Sequence, residues 1–309
     1  MLASQIAYVA LASKDPAATA LVLQQHLKLP RTDLLDAAGT AVPVFALGRS
    51  ALAVFPLGHP MIDGDATPGV HHIALGVDDV ERAVRHAAEV GIAAAGANPG
   101  LGGRKTVALD RQATVGVRVR LTDGLDLPRQ AGEVIERIDH LGVASADVAE
   151  DERVFSRKLG FEVESRQTDM EVSMAVESFT SDKYGVVYHN RPPQPVGGLR
   201  VAFITVGDCE LEFLANFDPD DGAQVEHGRS GSTKQDQGAI TRFVQSRGRG
   251  LHHMALKAKD IDATLAGMAR AGLPMIDTRG RPGSRRARIG FAHPHATGGI
   301  LMHLVQRDA

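Results

Sequence analysis

The chain has 309 residues, 43% of them hydrophobic and 23% charged, with a formal net charge of -3. Such a length and composition suit two globular domains with apolar cores, and the charge balance argues against nucleic acid or an anionic membrane surface as the main partner. The single cysteine, Cys209, excludes an intrachain disulfide, and no apolar run approaches the roughly 20 residues needed to cross a bilayer.

Residues 6–29 (IAYVALASKDPAATALVLQQHLKL) open the chain as an apolar strand, a polar turn and a helix. No basic leader precedes them, so a signal peptide is not expected, and with the lone cysteine the expected location is the cytoplasm. Alternating segments at 42–47 and 51–55 follow and read as strands. Residues 69–92 (GVHHIALGVDDVERAVRHAAEVGI) repeat the strand, turn and helix, with Asp78 and Asp79 placed to satisfy the first helical amides. A strand is expected at 115–121, and 123–133 (DGLDLPRQAGE) reads as a linker.

The pattern starts a third time at 138–161 (IDHLGVASADVAEDERVFSRKLGF), with strands at 199–206 and 210–214. It starts a fourth time at 250–273 (GLHHMALKAKDIDATLAGMARAGL), which aligns without a gap with 69–92, and a strand at 299–305 closes it. Cys209 sits in an apolar alternating run and reads as a packed thiol. Two insertions, 169–198 and 218–248, distinguish the second half. The first is expected to be loop-like around Pro192-Pro193 and Gly197-Gly198, and the second, rich in Gly, Ser and Gln, to be a mobile loop. The expected class is α+β, with four βαβββ modules arranged as two paired-module domains, 1–125 and 135–309.

These segments resemble the vicinal-oxygen-chelate superfamily of glyoxalases, bleomycin resistance proteins, extradiol dioxygenases and hydroxyphenylpyruvate dioxygenases. GLHHMALKAKDIDATLAGMARAGLPMID, RPGSRRARIGFAHPHATGGILMHLV and RVAFITVGDCELEFL are similar in particular to methylmalonyl-CoA epimerases, and the likeness covers most of 136–307. A count of four modules instead resembles the dioxygenases, whose N-terminal pair often lacks the metal. The resemblance implies that each module pair forms an open cup-shaped sheet with helices outside. It also implies one divalent metal ion per chain (Fe, Mn, Co, Ni or Zn), held from the first and last strands of modules three and four by His140, Glu212, His253 and His303. At His303 the family usually has Glu.

Strand alternation supports the same positions. His140 shares a face with Ile138 and Gly142, while Glu212 and His303 each sit between two apolar residues that point the other way. Only one of His252 and His253 is expected to face the cup, leaving His252 packed or behind the ligands. In the first half the corresponding residues are Tyr8, Ala53, His72 and Arg120, which cannot hold the same metal. Arg120 is expected to be a solvent-exposed strand-edge residue.

The implied activity is enolate-type epimerisation, isomerisation or lysis of a small carbonyl, carboxylate or acyl thioester substrate. The alternatives are an Fe(II)-dependent ring-cleaving or 2-oxo-acid dioxygenase and a protein that sequesters a ligand without turnover. Glu177 is the candidate general base, against the alternative of a solvent-facing strand glutamate. Residues 279–288 (RGRPGSRRAR) could hold an anionic substrate tail or form a solvated basic loop. The expected partner is a small-molecule substrate, with neither nucleic acid nor membrane; a homodimer is left open.

Overall fold

The computed structural model describes residues 1–128, 132–173, 176–183, 185–190, 194–217 and 238–307. Module one runs β1 (Gln5–Ser13), α1 (Pro16–Leu21, continued by a π turn over Val22–His26), β2 (Arg31–Leu35), β3 (Ala41–Leu47) and β4 (Ser50–Pro56). Module two runs β5 (Gly69–Val77), α2 (Val80–Glu89), β6 (Asn98–Pro99), β7 (Lys105–Ala108) and β8 (Val119–Asp123). Module three comprises β9 (Ile135–Ala144), α3 (Val148–Glu152, with a π turn over Arg153–Lys158), β10 (Glu162–Ser173), the hairpin β11 (Val176–Ser181) and β12 (Gly185–Asn190), then β13 (Gln194–Val206) and β14 (Cys209–Phe217). After α4 (Ala239–Arg247), module four runs β15 (Gly250–Ala258), α5 (Ile261–Arg270), β16 (Arg281–Pro282), β17 (Arg288–Phe291) and β18 (Met302–Gln306).

One local device starts the first helix of every module. Asp15, Asp79, Asp147 and Asp260 each accept a hydrogen bond from an amide of the first helical turn, which satisfies a donor that the helix itself cannot.

Among the described residues the strands form two eight-stranded sheets, ordered β2-β3-β4-β1-β5-β8-β7-β6 and β10-β13-β14-β9-β15-β18-β17-β16, and a separate β11-β12 ribbon. The two orders are identical module for module. At the centre of each sheet the first strands of its two modules pair antiparallel, β1 with β5 and β9 with β15. The last strand of each module lies parallel to its own first strand. This gives the α+β arrangement of two paired-module, cup-shaped sheets expected from the sequence.

The outer faces, covered by helices, share one apolar cluster that runs through both halves, from Ile6 and Leu75 to Leu141 and Leu304, and buries Cys209. Inside the N-terminal cup, Tyr8, Val44, Phe55, Met61 and Ile62 pack together. Among the described residues, the C-terminal cup has two small apolar clusters, one around Phe203 and Ile240 and one around Ala255 and Ile289. Backbone hydrogen bonds also join the halves, from Leu2 N to Leu159 O and from Lys14 N to Gly298 O, both 2.9 Å.

Three expectations are corrected. The strand expected at 115–121 begins at Val119, because Val115 has a φ of 50° in the turn before it. Residues 169–173 and 194–198 are not loop-like but lengthen β10 and β13, whose ladder continues out to Ser173 and Gln194. Residues 239–247 of the expected mobile loop form α4, held by Ile240, Phe243 and Val244 against Leu199, Val201 and Leu214. Residues 218–237, Tyr184 and Pro192-Pro193 lie outside the described residues. Among the described residues no helix is long and apolar enough to cross a membrane.

Candidate metal centre

His140 lies on β9, Glu212 on β14, His253 on β15 and His303 on β18, the four central strands of the C-terminal sheet. Glu212 and His253 are both paired with Gly142, while His140 and His303 are both paired with Ala255. Paired residues share a face of the sheet, so all four side chains enter the cup around two small residues. The room is specific at Gly142, where a Cβ would fall 2.0 Å from Cε1 of His253.

The Nε2 atoms of His140 and His253 are 3.3 and 3.4 Å from Oε2 of Glu212. One nitrogen from each of His140, His253 and His303 falls within 4.8 Å of the other two. All four residues are buried, and Nδ1 of His303 has no hydrogen-bond partner among the described residues. An orphaned buried nitrogen is costly, and three imidazoles facing one carboxylate are a donor set that fits a borderline divalent ion.

Electrostatics agree with that chemistry. Burial alone would raise the Glu212 carboxyl, but His140, His253 and Arg285 outweigh it and hold the group at about 2. Burial lowers His253, and with His253 and His140 as neighbours it pushes His303 well below the usual histidine range. Both shifts favour the neutral imidazole, the form that offers a lone pair. Behind them, Nδ1 of His140 is 3.1 Å from Asp139, whose carboxylate also accepts from Arg307 at 2.7 Å. A proton on Nδ1, shared with Asp139, leaves Nε2 of His140 free to face Glu212.

The structure corrects the sequence reading at Ile138 and at Arg120, and has His252 behind the ligands as expected. Ile138 does not share the face of His140: it packs with Leu141 and Val143 in the core. The pairing of β9 with β15 skips Asp139 and also His252, so each is the extra residue of a β-bulge. The second bulge brings Nδ1 of His252 to 3.0 Å from Nδ1 of His253, placing His252 behind the ligand set and edge-on to Phe243. Arg120 is not a solvent-exposed edge residue either. It is buried in the N-terminal cup and paired with Asp63 at 2.6 Å, which compensates its charge there. Tyr8 and Arg120 are both paired with Ala74, and His72 and Ala53 with Ala10, the same registers as their four counterparts.

Glu177 lies on β11 opposite His189, in the ribbon apart from the main sheet, and its side chain lies outside the described residues. Of the arginines at 279–288, Arg281, Arg285 and Arg288 pair with Asp277, Glu210 and Asp262. Arg285 also lies over the Phe203 ring at 3.6 Å, close enough to act on Glu212. Two features escaped the sequence reading. Phe291 stacks on His303, with centroids 4.5 Å apart. Gln167 and Asp169 join the cup face through their partners Val201 and Leu199, with the Asp169 carboxyl raised by burial despite Gln167, and raised further by Glu212. Their strand is polar on both faces, so hydropathy shows no period there; only the pairing with β13 tells the faces apart.

Residues 139–291 match the family model of the Glyoxalase/Bleomycin resistance protein/Dioxygenase superfamily. The uncharacterized protein YqjC of Bacillus subtilis is 22% identical over 172 residues, which cover 56% of this chain and 93% of that one. Mitochondrial methylmalonyl-CoA epimerase of Mus musculus is 24% identical over 130 residues, covering 42% of this chain and 64% of the epimerase. A triple mutant of 4-hydroxymandelate synthase from Streptomyces coelicolor shares the fold end to end: TM-score 0.63 at 16% identity, over 100% of this chain and 94% of that one. The resemblance carried by the sequence motifs is thus found in both sequence and fold.

Proposed function

Taking residues 139–291 as a module of the glyoxalase/bleomycin resistance protein/dioxygenase superfamily, we propose that the protein is an enzyme holding one divalent metal ion per chain through His140, Glu212, His253 and His303. It acts on a small substrate with adjacent oxygens, by enolate-type epimerisation, isomerisation or lysis. The observation that carries this reading is the convergence of three imidazoles and one carboxylate on the central strands, with the Nδ1 of His303 buried and without a partner among the described residues.

Such a donor set suits Fe, Mn, Co, Ni or Zn rather than calcium. When bound there, the ion supplies Lewis-acid stabilisation of a substrate oxygen on which negative charge develops. Glu212 brings the only carboxylate of the set, so the centre keeps a positive balance toward an anionic oxygen. Phe291 stacks on the face of His303 and Phe203 stands edge-on to His140, apolar surfaces that would limit water beside both imidazoles. Removal of a proton beside a carbonyl needs a base with access to the cup. Asp169 is one candidate, since burial makes its carboxyl a better proton acceptor than an ordinary aspartate. Glu177 is the other. The epimerase among the relatives supports this order of readings.

The second reading is an Fe(II)-dependent ring-cleaving or 2-oxo-acid dioxygenase, favoured by the fold shared end to end with 4-hydroxymandelate synthase. Elemental analysis of untagged protein, with oxygen-electrode and solvent-deuterium exchange assays on acyl thioesters, 2-oxo acids and catechols, separates the two. The expected result is one metal ion per chain, retained in His72→Ala, with deuterium exchange and no oxygen uptake. Rapid oxygen uptake would make the second reading the right one. Metal-free protein that still binds its ligand would overturn both.

A further inference from the structure

A cleft of about 590 Å³ lies between residues of the two halves, and its lining includes His252, whose Nδ1 is 3.0 Å from Nδ1 of His253, but none of the four proposed metal ligands. Arg111, Arg118, Arg247 and Arg249 line it, and among the described lining residues Asp65 is the one carboxylate. Asp65 accepts from Arg118 at 2.9 Å. Arg249 is committed to Glu150 and Asp151 of α3. Arg111 donates to the carbonyls of Gly116 and Arg249 at 2.9 and 3.2 Å, and Arg247 to the carbonyl of Pro68 at 3.3 Å. A guanidinium has five N–H groups, so among the described residues Arg111, Arg118 and Arg247 each keep donors to spare, and Arg111 and Arg247 form no ion pair with a carboxylate.

His71 forms part of the same wall and is 3% exposed; its Nε2 lies 3.8 Å from Oδ2 of Asp65 and has no hydrogen-bond partner among the described residues. Nδ1 of His71 is 2.8 Å from Nδ1 of His72, whose Nε2 is 3.5 Å from the Tyr8 hydroxyl. Burial pushes that phenol up to about 12, so it keeps its proton. Where it donates to His72, the His72 proton sits on Nδ1 toward His71, and the proton of His71 then sits on Nε2, on the wall of the cleft. Burial first, then Arg118 and Arg120, push His71 down to about 3 against the opposing pull of Asp65.

We propose that this cleft binds a small oxyanion, the phosphate or carboxylate group of a small molecule, through Arg111, Arg118, Arg247 and the Nε2–H of His71. Forked guanidinium donors match such oxygens, and the ligand's charge offsets a cluster that the protein itself leaves in excess. This site is separate from the metal centre and stands whether or not the proposed activity does.

Calorimetric titration with inorganic phosphate and, separately, with malonate, at ionic strength fixed by sodium chloride, tests it. The expected result is saturable binding at one site per chain, unchanged after treatment with a chelator. Arg247→Gln, an exposed position, should weaken binding at least fivefold, and Arg118→Gln should do the same. Tighter binding of phosphate or of malonate identifies which group the site prefers. Three results would overturn the proposal: heats no larger than those of chloride alone, equal affinity in the Arg247→Gln protein, or loss of binding on chelation, which would move the anion to the metal centre.

Discussion

His303 and Gly142 are the residues at which the centre is most exposed to test. His303 is buried with an orphaned nitrogen, and its strand is held by Met302 and Leu304 in the core rather than by the imidazole. His303→Ala should therefore weaken metal binding by about tenfold or more, as even the loss of an outer-shell partner can, while circular dichroism stays unchanged. Metal affinity equal to the parent's would remove His303 from the ligand set. Gly142→Ala makes the converse test without touching a ligand. The added methyl occupies the space of the His253 ring, and a side chain yields more readily than the strand, so metal is lost while overpacking costs about 1–3 kcal/mol. A metal content unchanged in Gly142→Ala would show that His253 is not held where the ligand set needs it.

At the scale of elements, the four central strands position the centre and α4 covers one flank of it. Ile240 is 5% exposed and anchors α4 on the cup face of β13 and β14. Ile240→Ala should cost about 2 kcal/mol, the low end for a buried isoleucine because the cluster is small and near solvent. Hydrogen exchange would quicken in α4 but not in β9 or β15. Uniformly faster exchange would mean that α4 is part of the global cooperative unit rather than a local cover. The bulges at Asp139 and His252 are also element-scale features, since each re-aims one side chain without altering the strand's place in the sheet.

At the scale of the molecule, the two sheets repeat one topology but fill their cups differently. The N-terminal cup closes on apolar side chains around Tyr8, with a salt-bridged Arg120, and keeps His71 and His72 buried and neutral. Both imidazoles have folded pKa values below the unfolded value of about 6.5, so the unfolded chain takes up protons first as pH falls. Stability from these groups is full above that pH and is lost below it, by about 1 kcal/mol per histidine at a pH near 5.5. In chloride buffers without phosphate, the parent should lose about that much more stability than His71→Gln between pH 7 and 5.5, measured by urea unfolding. Identical pH slopes would show that His71 is not held neutral in the folded protein.

The sequence by itself determined the βαβββ unit, its fourfold use and the four positions brought together in the C-terminal cup. The unit follows from short-range chemistry, an aspartate before each module's first helix and a period of two in the strands, while the four positions are implied by the family resemblance, with polar donors at the midpoints of apolar runs in support. Only the tertiary structure decided which face Ile138 takes, that His252 lies against His253, that Arg120 is buried, and that Gln167 and Asp169 belong to the cup. A bulge shifts the side-chain alternation by one residue without leaving a composition signal. A strand polar on both faces gives hydropathy nothing to divide, and the partner of a buried charge, such as Asp63 for Arg120, lies 57 residues away in the chain. Pairing register settles all three, and register belongs to the assembled sheet rather than to any one segment.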